Sequence, residues 1–271
     1  MLFQFGFVSL MLIYQILNKK TVTKSHFVLL TKIVLTCPKK LSILIYIRGA
    51  FKMSFSEYFP VYNKLTADQQ KLIDKHTFLF KQPKEKVIHN SGEDCLGLLV
   101  IRSGQLRVYI VSEDGREITL YRLFEHDICL LSASCVMNNI QFDIIIETEK
   151  DSEFWVIPPD IYKEVSQQSA ALANYANDLM AGSFSEVMWL VEQIMWKSMD
   201  KRLAAFLLEE SALEDSDILQ MTHEKIANHM GTAREVITRM LRYFQGEEMV
   251  KLRRGTIELT NKKALGQLAR S

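Results

Sequence analysis

The stretch running from Thr222 to Gly246, THEKIANHMGTAREVITRMLRYFQG, decides the fold. Thr222 stands where an N-cap belongs, and Ile226, Ala227 and Met230 lay an apolar stripe along a short helix over 223–230. Gly231 suits the left-handed position that stops a helix. Thr232 and Glu235 have the Thr-x-x-Glu spacing of a capping box, which predicts a second helix running to about Gln245 and stopped by Gly246. On it Ile237, Met240, Leu241 and Phe244 share the inner face, leaving Arg234, Glu235, Thr238, Arg239 and Arg242 outside. Two helices joined through a glycine turn make a helix-turn-helix.

The outer face has the chemistry of a base reader. Arg234 and Arg239 project from the start of the second helix, where a guanidinium fork matches O6 and N7 of guanine, and Glu235 can accept from a cytosine amino group. Beyond it, residues 250–252 and 256–259 flank Arg253-Arg254-Gly255, a hairpin wing whose two arginines suit phosphate contacts. Ordinary solvated helix charges are the alternative, and the capping pattern and local basic surplus weigh against it. The segment Gly231-Thr232-Ala233-Arg234-Glu235, followed by Arg239 and Leu241, closely resembles the recognition-helix signature of the Crp/Fnr superfamily of bacterial transcription regulators. Double-stranded DNA is the expected partner, contacted by Thr232, Arg234, Glu235, Thr238, Arg239, Arg242, Arg253 and Arg254.

Charge supports this once it is divided. The 271 residues hold 33 Lys plus Arg against 32 Asp plus Glu, a net charge of +1 that looks contrary to DNA binding. Residues 1–52 carry eight basic residues and no acid, 53–221 have 15 basic and 27 acidic, and 222–271 have 10 basic and 5 acidic. An acidic body with a basic C-terminal module is the distribution of a DNA reader. Composition otherwise is that of a globular protein, with 48% apolar residues, and four cysteines at 37, 95, 129 and 135 form neither a disulfide scaffold nor a Cys-x-x-Cys zinc site. A reducing cytoplasm is the expected location.

Residues 1–17 are an uncharged apolar run followed by Asn18, Lys19 and Lys20, slightly short for a membrane helix and without the layout of a signal peptide. Arg48-Gly49-Ala50 can be encoded by AGA GGA GCA, a ribosome-binding sequence at a suitable distance from an ATG at Met53. Residues 1–52 therefore read as translated upstream sequence, with a membrane anchor as the competing reading. The expected domains are this leader (1–52), a sensing β-barrel (53–168), a dimerisation helix (169–199) and a winged helix-turn-helix (200–271). The fold class is α+β, with an N-terminal antiparallel jelly roll or barrel.

The barrel is read from short strands and turns. Leu98, Val100 and Ile101 lead into Ser103-Gly104, then Leu106, Val108 and Ile110 alternate with Arg107, Tyr109 and Val111. Glu113-Asp114-Gly115-Arg116 is a hairpin turn, and residues 141–148 and 153–157 are further β-prone stretches. The Ser-Gly within 98–108, the Asp114-Gly115-Arg116-Glu117 turn and Phe124-Glu125-His126-Asp127 resemble the Crp/Fnr effector domain, and the likeness runs from about Met53 to Arg270. The resemblance implies a nucleotide-binding Gly-Glu and a later phosphate-holding Arg. Here that segment reads Ile128-Cys129-Leu130-Leu131-Ser132-Ala133-Ser134-Cys135, and no Arg lies between Arg122 and Arg202. A buried phosphate would lack its bidentate partner, so a cyclic nucleotide is not the expected effector.

Cys129, Ser132, Ala133, Ser134 and Cys135 are the candidate effector pocket, whose amides can hold a small anion if Ser132 opens a helix. Cys129 and Cys135, with Cys95, read either as a thiol switch or cluster ligands, or as small buried hydrophobes; the last is favoured, because an iron–sulfur cluster or haem has no clear motif here. His89 and His126 read as surface or hydrogen-bonded histidines rather than metal ligands.

Residues 169–198 form one long helix. Met180, Phe184, Val187, Val191 and Ile194 alternate at spacings of four and three, the a/d seam of a parallel homodimer, while Met188, Trp189, Met195 and Trp196 form a second stripe expected to pack on the barrel. Asp200 reads as the N-cap of a following helix. The function these features indicate is a dimeric, effector-responsive transcription regulator without enzymatic activity, engaging RNA polymerase if it activates. Competing readings are a membrane-tethered signalling protein and a metal-dependent jelly-roll enzyme, the latter lacking a His-x-His and evident metal ligands.

Overall fold

The computed structural model describes residues 54–90, 95–132 and 144–270. The 1–52 leader, Met53, and Ala133, Ser134 and Cys135 of the expected pocket lie outside the described residues, as do residues 141–143.

A short helix α1 (Phe55–Tyr58), a 3₁₀ turn (Tyr62–Lys64) and α2 (Ala67–His76) precede the sheets. Helix α2 opens on a true capping box, in which Thr66 and Gln69 satisfy one another's backbone amides. Eight strands follow: β1 (Phe78–Gln82), β2 (Val87–His89), β3 (Leu98–Ser103), β4 (Leu106–Val111), β5 (Glu117–Leu123), β6 (Ile128–Cys129), β7 (Ile145–Thr148) and β8 (Ser152–Ile157). They form two antiparallel four-stranded sheets, ordered β1-β8-β3-β6 and β2-β7-β4-β5. Leu99, Ile101, Phe154 and Val156 of the first sheet meet Leu106, Val108, Leu123 and Ile146 of the second in one buried core, as the jelly-roll reading requires.

Strand β3 is buried on both faces because α1 covers its outer side. Val100 pairs with Trp155, and that indole ring lies 4.9 Å from Tyr58 and 5.8 Å from Phe55. The β4–β5 turn closes as its sequence predicts, with Gly115 at φ 75° and the Ser112 amide donating to Arg116 O at 2.8 Å.

Helix α3 (Pro159–Gln168), begun by a proline, leads into α4 (Ala170–Trp196), where the Ser169 hydroxyl accepts from the Leu172 amide at 3.3 Å. On α4 Leu172 is buried and Met180 packs against the barrel core, so Met180 is not on the free seam. The second stripe also departs from expectation: Met188, Trp189, Met195 and Trp196 are exposed. Met188 and Met195 adjoin the seam of Phe184, Val191 and Ile194, while Trp189 stands on another side of the helix, across a cavity from Leu120 and Phe124 of the barrel.

Lys197 and Ser198 break the helix in extended conformation, and α5 (Met199–Leu213) begins with Ser198 at its N-cap. Asp200 is therefore in the first helical turn rather than at the cap, held below the usual carboxylate range by a hydrogen bond with Ser198. The remaining elements are β9 (Ile218–Leu219), α6 (His223–Met230), α7 (Arg234–Gly246), β10 (Val250–Arg253), β11 (Thr256–Leu259) and α8 (Lys262–Arg270), with sheet order β10-β11-β9. Leu203, Leu207, Ile226, Ile237, Leu241, Phe244 and Leu265 make their fully buried core. This is a winged helix-turn-helix.

Gly104, at φ 94° between β3 and β4, sits so close to β8 that a Cβ would lie 2.6 Å from Asp151 O and from Ser152 Cα. Gly104→Ala should lower the unfolding free energy by ~2–3 kcal/mol, combining left-handed strain with backbone overlap. Urea denaturation followed by circular dichroism measures this.

Candidate nucleic-acid interface and its junction with the barrel

The reading surface is built by α6, the turn and α7. Thr222 caps α6 by accepting from the Lys225 amide at 3.1 Å, and Gly231 ends it at φ 67°, ψ 38°. The expected capping box on the next helix is absent: Ala233 is the N-cap of α7 and no side chain bonds there. The turn takes one residue more than that reading allowed, which leaves half-buried Thr232 outside the capping position. Gly246 likewise closes α7 as its last residue rather than lying beyond it.

Arg234, Glu235, Arg239 and Arg242 are exposed along α7, as its periodicity predicts, while Ile237, Leu241 and Phe244 are buried. Among the described residues the one ion pair of Arg234 is with Glu224, at 4.0 Å and with both side chains more than 60% exposed, a contact too weak to hold it from another partner. Thr238 is different. Its hydroxyl donates to Arg234 O at 2.9 Å and lies 2.9 Å from His223 Nδ1, so it braces α7 against α6. Burial, with the charges of Arg234 and Arg242, moves His223 below its ordinary pKa. At the wing Gly255 turns at φ 71°, Arg254 is exposed and Arg253 lies 3.6 Å from Glu258.

The sequence did not reveal that this module is locked to the barrel by a buried polar cluster. Strand β4 alternates as predicted, yet Arg107 and Tyr109 on its outer face are buried like Leu106 and Val108. Arg107 reaches across to Asn228 O at 3.1 Å, pairs with Glu117 at 2.6 Å, and donates from Nε to Thr119 Oγ1 at 2.7 Å. Thr119 stands 2.9 Å from His229 Nδ1, whose other nitrogen faces Glu149 at 3.2 Å. Glu149 also accepts from Gln105 at 2.8 Å and contacts Arg122 Nε at 2.8 Å. That Nε contact is an ion pair without hydrogen-bond alignment, while Arg122 Nη1 bonds Glu210 on α5 at 2.5 Å. Barrel strands thus hold the first reader helix and α5 at once.

Burial, with the arginines nearby, brings His229 down to about 4, so at neutral pH it is uncharged and donates to Glu149 while accepting from Thr119. Burial alone would raise Glu149, but the His229 hydrogen bond and the Arg122 charge outweigh it and bring the carboxyl to about 2. Glu210 moves up, because burial and the neighbouring Glu149 and Glu209 outweigh Arg122. Backbone and side chain close the junction further: Ile118 and Met230 form an isolated antiparallel β-bridge, and a Cβ on Gly231 would lie 2.8 Å from the Ile118 side chain.

The described half of the expected effector pocket is closed. Ser132 is fully buried, with its hydroxyl 2.6 Å from Gly97 O and 2.8 Å from Cys129 O, and burial pushes the Cys129 thiol up, away from reactive thiolate. Among the described residues no group of three or more His, Cys, Asp or Glu is placed to hold a metal, and no helix is long and apolar enough to cross a membrane.

Comparison with known proteins fits this architecture. The cyclic nucleotide-binding domain matches residues 80–169 and the Crp-like helix-turn-helix domain residues 201–268. The crystal structure of a Crp/Fnr-family transcriptional regulator from Eubacterium rectale is 58% identical, covers 79% of this chain and all of that one, and superposes with a TM-score of 0.78. The chain belongs to the Crp/Fnr family. Among curated Crp/Fnr relatives, the fumarate and nitrate reduction regulatory protein of Yersinia pestis is 28% identical over 70% of this chain and 78% of its own length. The regulatory protein HlyX of Actinobacillus pleuropneumoniae is also 28% identical, over 62% and 71%. As a member of this family the protein is a transcription regulator, with a cyclic-nucleotide-binding-like sensory domain and a DNA-binding helix-turn-helix.

Junction stability should depend on pH with a defined sign. His229 has a docked pKa of about 4 against an ordinary 6.5, so its contribution is complete above 6.5 and is lost as pH falls towards 4. The slope is ~1.4 kcal/mol per pH unit. Raised Glu210 acts in the opposite direction, while Glu149, brought to about 2, and Arg122, raised by its carboxylate partners, stay charged across this window. The slope is therefore read as the difference in melting between the native chain and His229→Gln, which keeps a donor towards Glu149 and does not titrate. Parallel pH profiles for the two would contradict the assignment.

Proposed function

We propose that this regulator acts as a homodimer paired along the exposed face of α4, and that a small molecule other than a cyclic nucleotide sets the position of its readers. The observation that carries this reading is the buried junction: Arg122, Glu149, Glu210 and His229 tie barrel strands to the reader, so movement in one is transmitted to the other. Phe184, Val191 and Ile194 are exposed and Val187 half-buried on the face assigned to the partner, at the spacing a two-helix seam needs. A symmetric dimer presents two copies of α7, and their separation must match half-sites about one helical turn apart. A small rotation at the junction thereby switches affinity.

Cyclic nucleotides fit poorly even though the family domain matches. No arginine lies between Arg122 and Arg202, and Arg122 is committed to Glu149 and Glu210. Burial of Cys129 favours small-molecule sensing over thiol chemistry at that residue. Arg234, Glu235 and Arg239 take the role of base readers, with Arg242, Arg253 and Arg254 on phosphates; Thr238 and Thr232 serve the packing of α7. The protein works in the cytoplasm, without enzymatic activity, and contacts RNA polymerase where it activates.

Fluorescence anisotropy with specific and random duplexes tests the reader. Arg234→Ala or Arg239→Ala should cost ~1–3 kcal/mol on the specific site and relax preference at one position. Arg253→Ala should weaken both duplexes alike and reduce the salt slope by about 1. Equal losses on both duplexes for Arg234→Ala would overturn its role. Added cyclic AMP should leave the affinity of the native chain unchanged.

A further inference from the structure

The junction encloses more than the polar cluster. Beside it lies a cavity of about 540 Å³, within the roughly 300–1,000 Å³ of small-molecule sites. Its apolar wall draws on every part of the regulator: Leu120 and Phe124 from the barrel, Trp189 and Leu190 from α4, Phe206 from α5 and Met230 from α6. One cation on the wall stands out. Arg202 of α5 donates to Met230 O at 2.9 Å, and among the described residues no carboxylate lies within ion-pair distance of it. Burial lowers its pKa with no charged neighbour opposing the shift, unlike Arg122 on the same wall, which is answered by Glu149 and Glu210. A half-buried guanidinium satisfied only by one backbone carbonyl has donors left for an anion. Two carboxylates, Glu186 and Glu209, also line the cavity and disfavour a polyanion.

We infer that this cavity is a binding site for a small organic anion, with an aromatic or apolar body packed between Trp189 and Phe206 and a single negative charge on Arg202. The site is distinct from the Cys129–Cys135 segment. The inference rests on the reading above that the protein senses a small molecule, and it places that molecule where barrel, dimer helix and reader meet. A ligand there touches all three, so it binds the docked arrangement and shifts the population towards it.

The test uses two dyes on the full chain. 8-Anilinonaphthalene-1-sulfonate has an aromatic body and one negative charge, and N-phenyl-1-naphthylamine has the same body without the charge. The native chain should bind the sulfonate saturably, one per chain, with energy transfer that falls in Trp189→Phe, and about tenfold more tightly than the neutral dye. Arg202→Gln should erase that preference while leaving the neutral dye's affinity unchanged, and Ala205→Trp, which fills the cavity, should abolish both. Undiminished sulfonate binding in Ala205→Trp, equal affinity for the two dyes on the native chain, or binding confined to chains that sediment as monomers would each overturn the site. DNA affinity is measured with and without saturating sulfonate: an affinity that the bound dye leaves unchanged would count against the reading that a small molecule sets the readers, and leave the binding site to stand by itself.

Discussion

A guanidinium taken out of water has to be answered by carboxylates at close range, and the carboxylates that answer Arg122 come from two different modules. Glu149 belongs to the barrel and Glu210 to the reader, so the charge is balanced only when both are in place. Buried ion pairs contribute little net stability, but losing one partner leaves the other uncompensated at a cost of about 3–5 kcal/mol. The cluster therefore works less as glue than as a requirement of registry. Neutral His229 extends it, since its two ring nitrogens need Thr119 on one side and Glu149 on the other.

That requirement explains several details at once. Strand β4 keeps a charged residue at the outward position of its alternation because the outward face meets the reader rather than solvent. Helix α5 buries Glu210 and Ser211 beside apolar Leu203 and Leu207 because it serves both the reader core and the junction. Helix α4 is buried only in its first half, which leaves its apolar second half available to a second copy and forms one side of the cavity beside the cluster.

Much of this was legible in the residues. The helix-turn-helix followed from the Ile226, Ala227, Met230 stripe and Gly231, and the wing from Arg253-Arg254-Gly255, because local periodicity and turn chemistry fix such elements without help from distant contacts. The errors lay at helix ends, where Ser198 rather than Asp200, and Ala233 rather than Thr232, occupy the N-caps; a shift of one or two residues in an extended linker leaves no trace in composition. The junction was not legible for a different reason. Arg107, Thr119, Arg122, Glu149, Glu210 and His229 are scattered over more than a hundred positions, and each alone reads as a solvated residue. Only His229, on a helix side that buries Ile226 and Met230, hinted at a polar contact in an apolar place.

Gly231 has a double meaning in this light. A turn that needs a left-handed residue takes glycine first and asparagine next, so an isolated helix-turn-helix would bear the exchange at a modest cost. Here the missing side chain also leaves room for Ile118 of the barrel. The residue that punctuates the reading module is at the same time the seat on which the sensor rests, so a sign ordinarily taken as purely local carries a record of tertiary contact. Substitutions at that point would separate two properties that the native protein keeps together: the ability to fold as a reader, and the ability to be told when to read.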